Sequence, residues 1–61
     1  MNCGDIVRAN EVGKRELHLD GNIVYRLIRS TRREGEWIAR DDKVGLIVSV
    51  QEQHYERVVK R

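Results

Sequence analysis

The sequence contains no proline and no phenylalanine. It has one tryptophan, two tyrosines and one cysteine. A single cysteine, Cys3, excludes an internal disulfide and suits a reduced, intracellular protein. No run approaches the ~20 apolar residues that a membrane-spanning helix needs. The opening Met1-Asn2-Cys3-Gly4-Asp5 lacks the basic start and apolar centre of a secretory signal, so the expected location is the cytoplasm. Net charge of one sign is also scarce: 36% of residues are charged, yet the formal net charge is only +2. The length of 61 residues allows one small domain, residues 1–61, with a thin stability margin.

Valine and isoleucine are what the chain has in quantity, thirteen together, in short runs cut by Gly, Asp and Asn. β-Branched side chains lose rotamer freedom in a helix and pack well on a pleated surface. The expected fold is therefore mainly β, with five or six short strands. Residues 4–12 read as a first strand and Gly13-Lys14-Arg15 as a turn. Residues 16–19 alternate polar and apolar, the period of a half-buried strand. Asp20-Gly21 then reads as a hairpin turn leading to a partner strand from Asn22 or Ile23.

Residues 23–30 fit two patterns. Ile23, Val24, Leu27 and Ile28 share a face at helical spacing, whereas the β-branched content and the preceding turn favour a strand. The alternative is an α+β fold with one helix near 22–33. Thr31 to Gly35 reads as a polar loop, 36–40 as a short strand and 41–43 as a turn. Residues 44–51 read as a strand with Val44, Leu46, Val48 and Val50 on one apolar face. After a turn at 52–54, residues 55–59 read as a final strand, although residues 50–61 also fit a helix. The expected core is Ile6, Leu17, Leu19, Val24, Ile28, Ile38, Val44, Leu46, Val48, Val50 and Val58.

These segments together resemble the SH3-like small β-barrels in the broad sense that includes KOW and Tudor-type domains. The resemblance is carried by Gly-Asp-Ile-Val-Arg at 4–8, a long irregular stretch at 10–22, a central hairpin at 25–40, Lys-Val-Gly-Leu-Ile-Val at 43–48 and a closing strand at 55–60. It implies a small barrel that binds protein or nucleic acid and seldom catalyses. The lack of proline and the single tryptophan depart from the peptide-binding SH3 domains and count against recognition of Pro-rich peptides.

Catalytic motifs are not evident. His18, His54 and Cys3 lack the close spacing of a zinc site, so no metal and no cofactor are expected. Asp41 and Asp42, adjacent on a strand, would point to opposite faces and serve as turn residues. No glycine-rich phosphate loop is present. The expectation is a non-catalytic protein.

The basic residues are the feature that points to binding. Nine of the twelve are arginine, whose planar fork suits carboxylates and phosphates. Arg26, Arg29, Arg32 and Arg33 lie within eight residues. Lys14-Arg15 and Arg57, Lys60 and Arg61 add two further groups. Trp37 beside Arg40, or Tyr25 beside Arg26, would suit an interface anchor. The expected binding set is Arg26, Arg29, Arg32, Arg33, Trp37, Arg40 and Tyr25. Two partner classes fit it. One is an acidic protein surface, docked by a small regulator or inhibitor. The other is RNA or DNA, bound through the same basic face. An exposed strand edge would also permit homodimer pairing.

Overall fold

The structure, a computed structural model, describes residues 1–58. It is mainly β. Five strands, β1 (Ile6–Ala9), β2 (Val24–Ser30), β3 (Glu36–Asp41), β4 (Leu46–Gln51) and β5 (Tyr55–Arg57), form one antiparallel sheet in the order β4-β3-β2-β1-β5. A short helix, α1 (Glu11–Leu17), follows β1, and a single 3-10 turn (Glu52–His54) joins β4 to β5. The first strand thus lies between the second and the last. The extents of 26 × 25 × 24 Å are nearly equal. A flat sheet would be thin in one direction, so this sheet is strongly coiled.

The helix at 11–17 corrects the end of the strand expected over 4–12, the expected turn at 13–15 and the strand at 16–19. Asn10 stops β1 and caps the helix, its side-chain oxygen accepting the Gly13 N–H at 2.9 Å. Glu11 lies in the first turn and Lys14 and Arg15 in the last, which matches the helix dipole. His18 ends the helix in the left-handed region (φ 55°) and donates its N–H to the Gly13 carbonyl. Gly13 reads as a breaker in sequence but is fixed by packing: it is buried, and its Cα faces the His54 carbonyl of the 3-10 turn too closely for a Cβ.

Asp20-Gly21 does form a turn, but it leads from the helix into β2 and joins no hairpin. The Asn22 N–H bonds the Asp20 carboxylate at 2.8 Å, and the Ile23 N–H reaches the Asp20 carbonyl at 3.3 Å. Neither residue has a positive φ. Residues 24–30 are strand, so the helical alternative near 22–33 falls. The loop at 31–35 and the strand that follows it are as expected. Gly35 (φ 78°) and Gly45 (φ 74°) supply the left-handed positions of the two hairpin loops. The strand expected over 44–51 begins only at Leu46, because Val44 and Gly45 belong to the turn. At the C-terminal end, residues 55–57 are strand, Val58 is not, and Val59, Lys60 and Arg61 lie outside the described residues.

The core is Val7, Ala9, Leu27, Ala39 and Val50, with Tyr25, Trp37, Val48 and Tyr55 packed against it in part. Of the eleven residues expected inside, only Val50 is fully buried. Leu17, Val24, Ile28, Val44 and Leu46 are exposed, and Ile6, Leu19, Ile38, Val48 and Val58 are half-buried. On β1, β2 and β3 the expected face is the wrong one. Both faces of these strands carry aliphatic residues, but Arg8, Arg26 and Arg40 share the face of Ile6, Val24 and Ile38 and hold it in water. The inside of so tight a sheet takes the face that holds the small residues Ala9 and Ala39, and the bulkier branched residues go outside.

Candidate interaction surface

Inversion of the strand faces sets aliphatic and arginine side chains together on the outer surface of the sheet. One row crosses four strands: Ile6 pairs with Arg26, Arg26 with Arg40, and Arg40 with Ile47. A second row sets Arg8 between Val24 and Glu56. Beyond Leu27 a bulge at Ile28 shifts the register, so that Arg29 faces Ile38. Without it Ile28 would lie opposite Ile38 and Arg29 would turn inward. The bulge is thus what keeps Arg29 on the outer face, beside Ile28. The Ile28 carbonyl accepts the Cys3 thiol, and the Gly4 N–H bonds the Leu27 carbonyl at 2.8 Å, so the N-terminal segment braces this point.

Arg26 and Arg40 stand directly opposite each other, an arrangement that costs free energy unless a counter-charge relieves it. Asp42 supplies one, 3.2 Å from Arg26. Arg8 is met by Glu56 at 3.0 Å. Among the described residues no carboxylate forms a salt bridge with Arg29, Arg32, Arg33 or Arg40. The outer face therefore holds positive charge in excess of its internal partners, among exposed Val24, Ile28 and Ile47.

The structure divides the sequence-derived set in three. Arg26, Arg29 and Arg40 share the outer face. Arg32 and Arg33 sit exposed in the β2–β3 loop, where the Thr31 hydroxyl accepts the Arg33 N–H at 3.1 Å and donates to Glu36 at 2.7 Å. Tyr25 and Trp37 lie on the inner face, half-buried against the core. The indole N–H of Trp37 donates to Glu52 at 2.8 Å. Tyr25 meets Tyr55 edge to face, with ring centroids 6.0 Å apart. Burial pushes both phenol pKa values up from the ordinary 10.0, with Asp41 and Asp20 adding to the effect on Tyr25 and Tyr25 itself adding to that on Tyr55.

Sequence reasoning placed Val24 and Ile28 in the core, and left Ile47 outside it without assigning it to the binding set. The available signals were Arg8, Arg26 and Arg40 on the same face and the alanines of β1 and β3 on the other, which marks the tightly packed side.

The cavities are small. One of about 100 Å³ is lined by Asn22, Ile23, Val24 and the turn at Asp41, Asp42 and Lys43. Two open grooves of about 280 and 270 Å³ flank the 3-10 turn. Among the described residues no three His, Cys, Asp or Glu side chains converge as a metal-ligand set, and no helix is long and apolar enough to cross a membrane. No family model matches the chain, and neither a curated protein nor a solved structure matches it.

Proposed function

We propose that this chain is a non-catalytic interaction module of SH3-like type that docks an acidic, partly apolar protein surface on the outer face of β2, β3 and β4. The observation that carries this reading is the opposed Arg26–Arg40 pair, short of counter-charge and flanked by exposed aliphatic side chains. A partner carboxylate placed there relieves the repulsion and accepts a forked pair of hydrogen bonds. Val24, Ile28 and Ile47 around it supply apolar area to be removed from water. The strand order, with β1 between β2 and β5, supports the SH3-like assignment. The cavities fall below the ~300 Å³ of an ordinary small-molecule site, which supports binding over chemistry.

The aromatic residues favour a protein over a nucleic acid as the partner. Sequence-tolerant binding of single strands relies on exposed rings that stack on bases. Tyr25, Trp37 and Tyr55 are half-buried on the far side of the sheet from the arginines. The anchors of the proposed interface are instead Arg29 and Arg40 with Ile28 and Ile47.

The test compares the wild-type chain with an Arg29→Glu, Arg40→Glu double variant. Both are immobilised, challenged with cell lysate, and titrated separately with single-stranded RNA and duplex DNA. Protein partners captured by the wild type and lost in the variant, whose circular dichroism is unchanged, are the expected outcome. Nucleic-acid binding that weakens steeply between about 50 and 200 mM salt, with no captured protein, would transfer the face to a phosphate backbone.

A further inference from the structure

We propose that β4 is a self-association edge, at which two copies of the chain pair antiparallel about a two-fold axis through Val48. The sheet has two outer strands, β4 and β5, and they differ sharply. β5 has three residues, two of them charged, Glu56 and Arg57. Short, charged edges resist pairing with another chain. β4 has six residues, and the uncharged stretch runs from Val44 to Gln51 in a chain that is 36% charged. It has no proline, lysine or inward-pointing charge to block a foreign strand. Val44, Leu46 and Ile47 are 66%, 62% and 57% exposed, the highest values among the exposed large apolar residues.

A second copy is the occupant that this edge fits. An uncharged strand presents no like charge to its own image, and two-fold pairing is the commonest way for identical chains to associate. Antiparallel pairing that keeps inner and outer faces continuous restricts the register. Centred on Val48, it sets Leu46 opposite Val50 of the second copy and Ile47 opposite Ser49. Centred one residue later, on Ser49, it would leave Leu46 unpaired. The first register also gives Leu46 a destination. Val50 borders the open groove of about 270 Å³ that Leu17 and Leu19 line, and the Leu46 side chain of the other copy enters it. The most exposed large apolar residue of the strands in one copy thus meets the apolar groove of the other, twice. The two arginine faces then lie on the same side of one continuous sheet and present two docking surfaces together.

Sedimentation equilibrium on the purified chain tests this without any other partner, so its outcome is independent of the docking proposal. The expected result is a reversible dimer, with protection from hydrogen exchange that grows with concentration at those Leu46–Val50 amides that point away from β3. Leu46→Lys leaves the fold intact, as the circular dichroism and melting curve report, and weakens association by about tenfold or more, because a charge then enters the groove. Arg57→Glu, on the opposite edge, leaves the dimer unchanged. A monomer mass up to ~1 mM, the weak end of specific association, overturns the proposal. A dimer that Leu46→Lys does not weaken, or that Arg57→Glu abolishes, overturns it equally.

Discussion

Gly13 is the residue on which the seam between α1 and the 3-10 turn depends, and Gly13→Ala measures that seam. In a free helix this substitution would stabilise by about 1 kcal/mol, since alanine is the better helix former. Here the added methyl meets the His54 carbonyl oxygen inside any distance that real Cβ atoms keep, with the carbonyl carbon at 3.2 Å and Leu19 Cδ1 at 3.1 Å. The obstacle is backbone, which cannot rotate aside as a side chain would. The helix must shift away, and two hydrogen bonds of the seam go with it. These are the Asn10 N–H to the His54 carbonyl at 3.0 Å and the Asn10 side-chain amide to the Gln53 carbonyl at 3.1 Å. Two bonds at about 1 kcal/mol each, with 1–3 kcal/mol of overpacking, outweigh the gain in propensity and leave a net loss of about 2–4 kcal/mol. A domain of this size has ~3–5 kcal/mol in total. The melting temperature should therefore fall by about 8–32 °C, at roughly 4–8 °C per kcal/mol. Thermal and urea melts followed by circular dichroism measure it. Arg15→Ala, on the exposed side of the same helix, is the control and should change stability little. A Gly13→Ala protein as stable as the wild type would refute the argument that close packing, rather than propensity, places glycine there.

Two further outcomes follow from local geometry. His18 holds a left-handed φ of 55° with no glycine to ease it. His18→Gly should stabilise the domain by about 0.5–1 kcal/mol in a urea melt, because relief of the strained cap exceeds the added freedom of the unfolded chain. The tyrosines set an alkaline limit. Their folded pKa values lie above 10.0, so the fold holds the protonated phenols more tightly than the unfolded chain does. Their contribution is complete below pH 10 and is lost as pH rises from there through the folded values. Urea melts at increasing alkaline pH should show that decline, and Tyr25→Phe with Tyr55→Phe should flatten it.

Much of the β architecture was legible in the residues. The β-branched run at 23–30, the polar loop ending in Gly35 and the apolar run before Gln51 each became a strand or loop close to the expected bounds. The helix was not read, although Asn10, Glu11, Lys14 and Arg15 are ordinary cap and dipole residues. Gly13 argued against it locally, and the reason for Gly13 lies 41 residues away, at the His54 carbonyl. Four residues of alternation at 16–19 then weighed more than they should. Of the binding set, the outer placement of Arg26, Arg29 and Arg40 was within reach. The inward placement of Tyr25 and Trp37 follows from it by strand alternation, since Tyr25 adjoins Arg26 and Trp37 lies three residues from Arg40.

That choice of face follows first from charge, since Arg8, Arg26 and Arg40 hold one side of β1, β2 and β3 in water, and then from volume. Across β1, β2 and β3 the inner positions are Val7, Ala9, Tyr25, Leu27, Trp37 and Ala39, and the outer ones include Ile6, Val24, Ile28 and Ile38. Taken whole, the outer positions also carry Arg8, Arg26, Arg29 and Arg40, so the inner set is the more apolar. The inner set also varies in size: two alanines make room for a tyrosine and a tryptophan in a space that uniform isoleucines would overfill. The phenol and indole are satisfied at the rim, where the Trp37 N–H reaches Glu52. The remaining aliphatic residues are left outside, and the arginines interleaved with them keep that face soluble. The proposed docking surface is therefore a consequence of how the interior packs. A substitution that enlarged Ala39, such as Ala39→Ile, would press on Leu27 and Val48 from within and disturb the Arg26–Arg40 row that its strand carries on the other side.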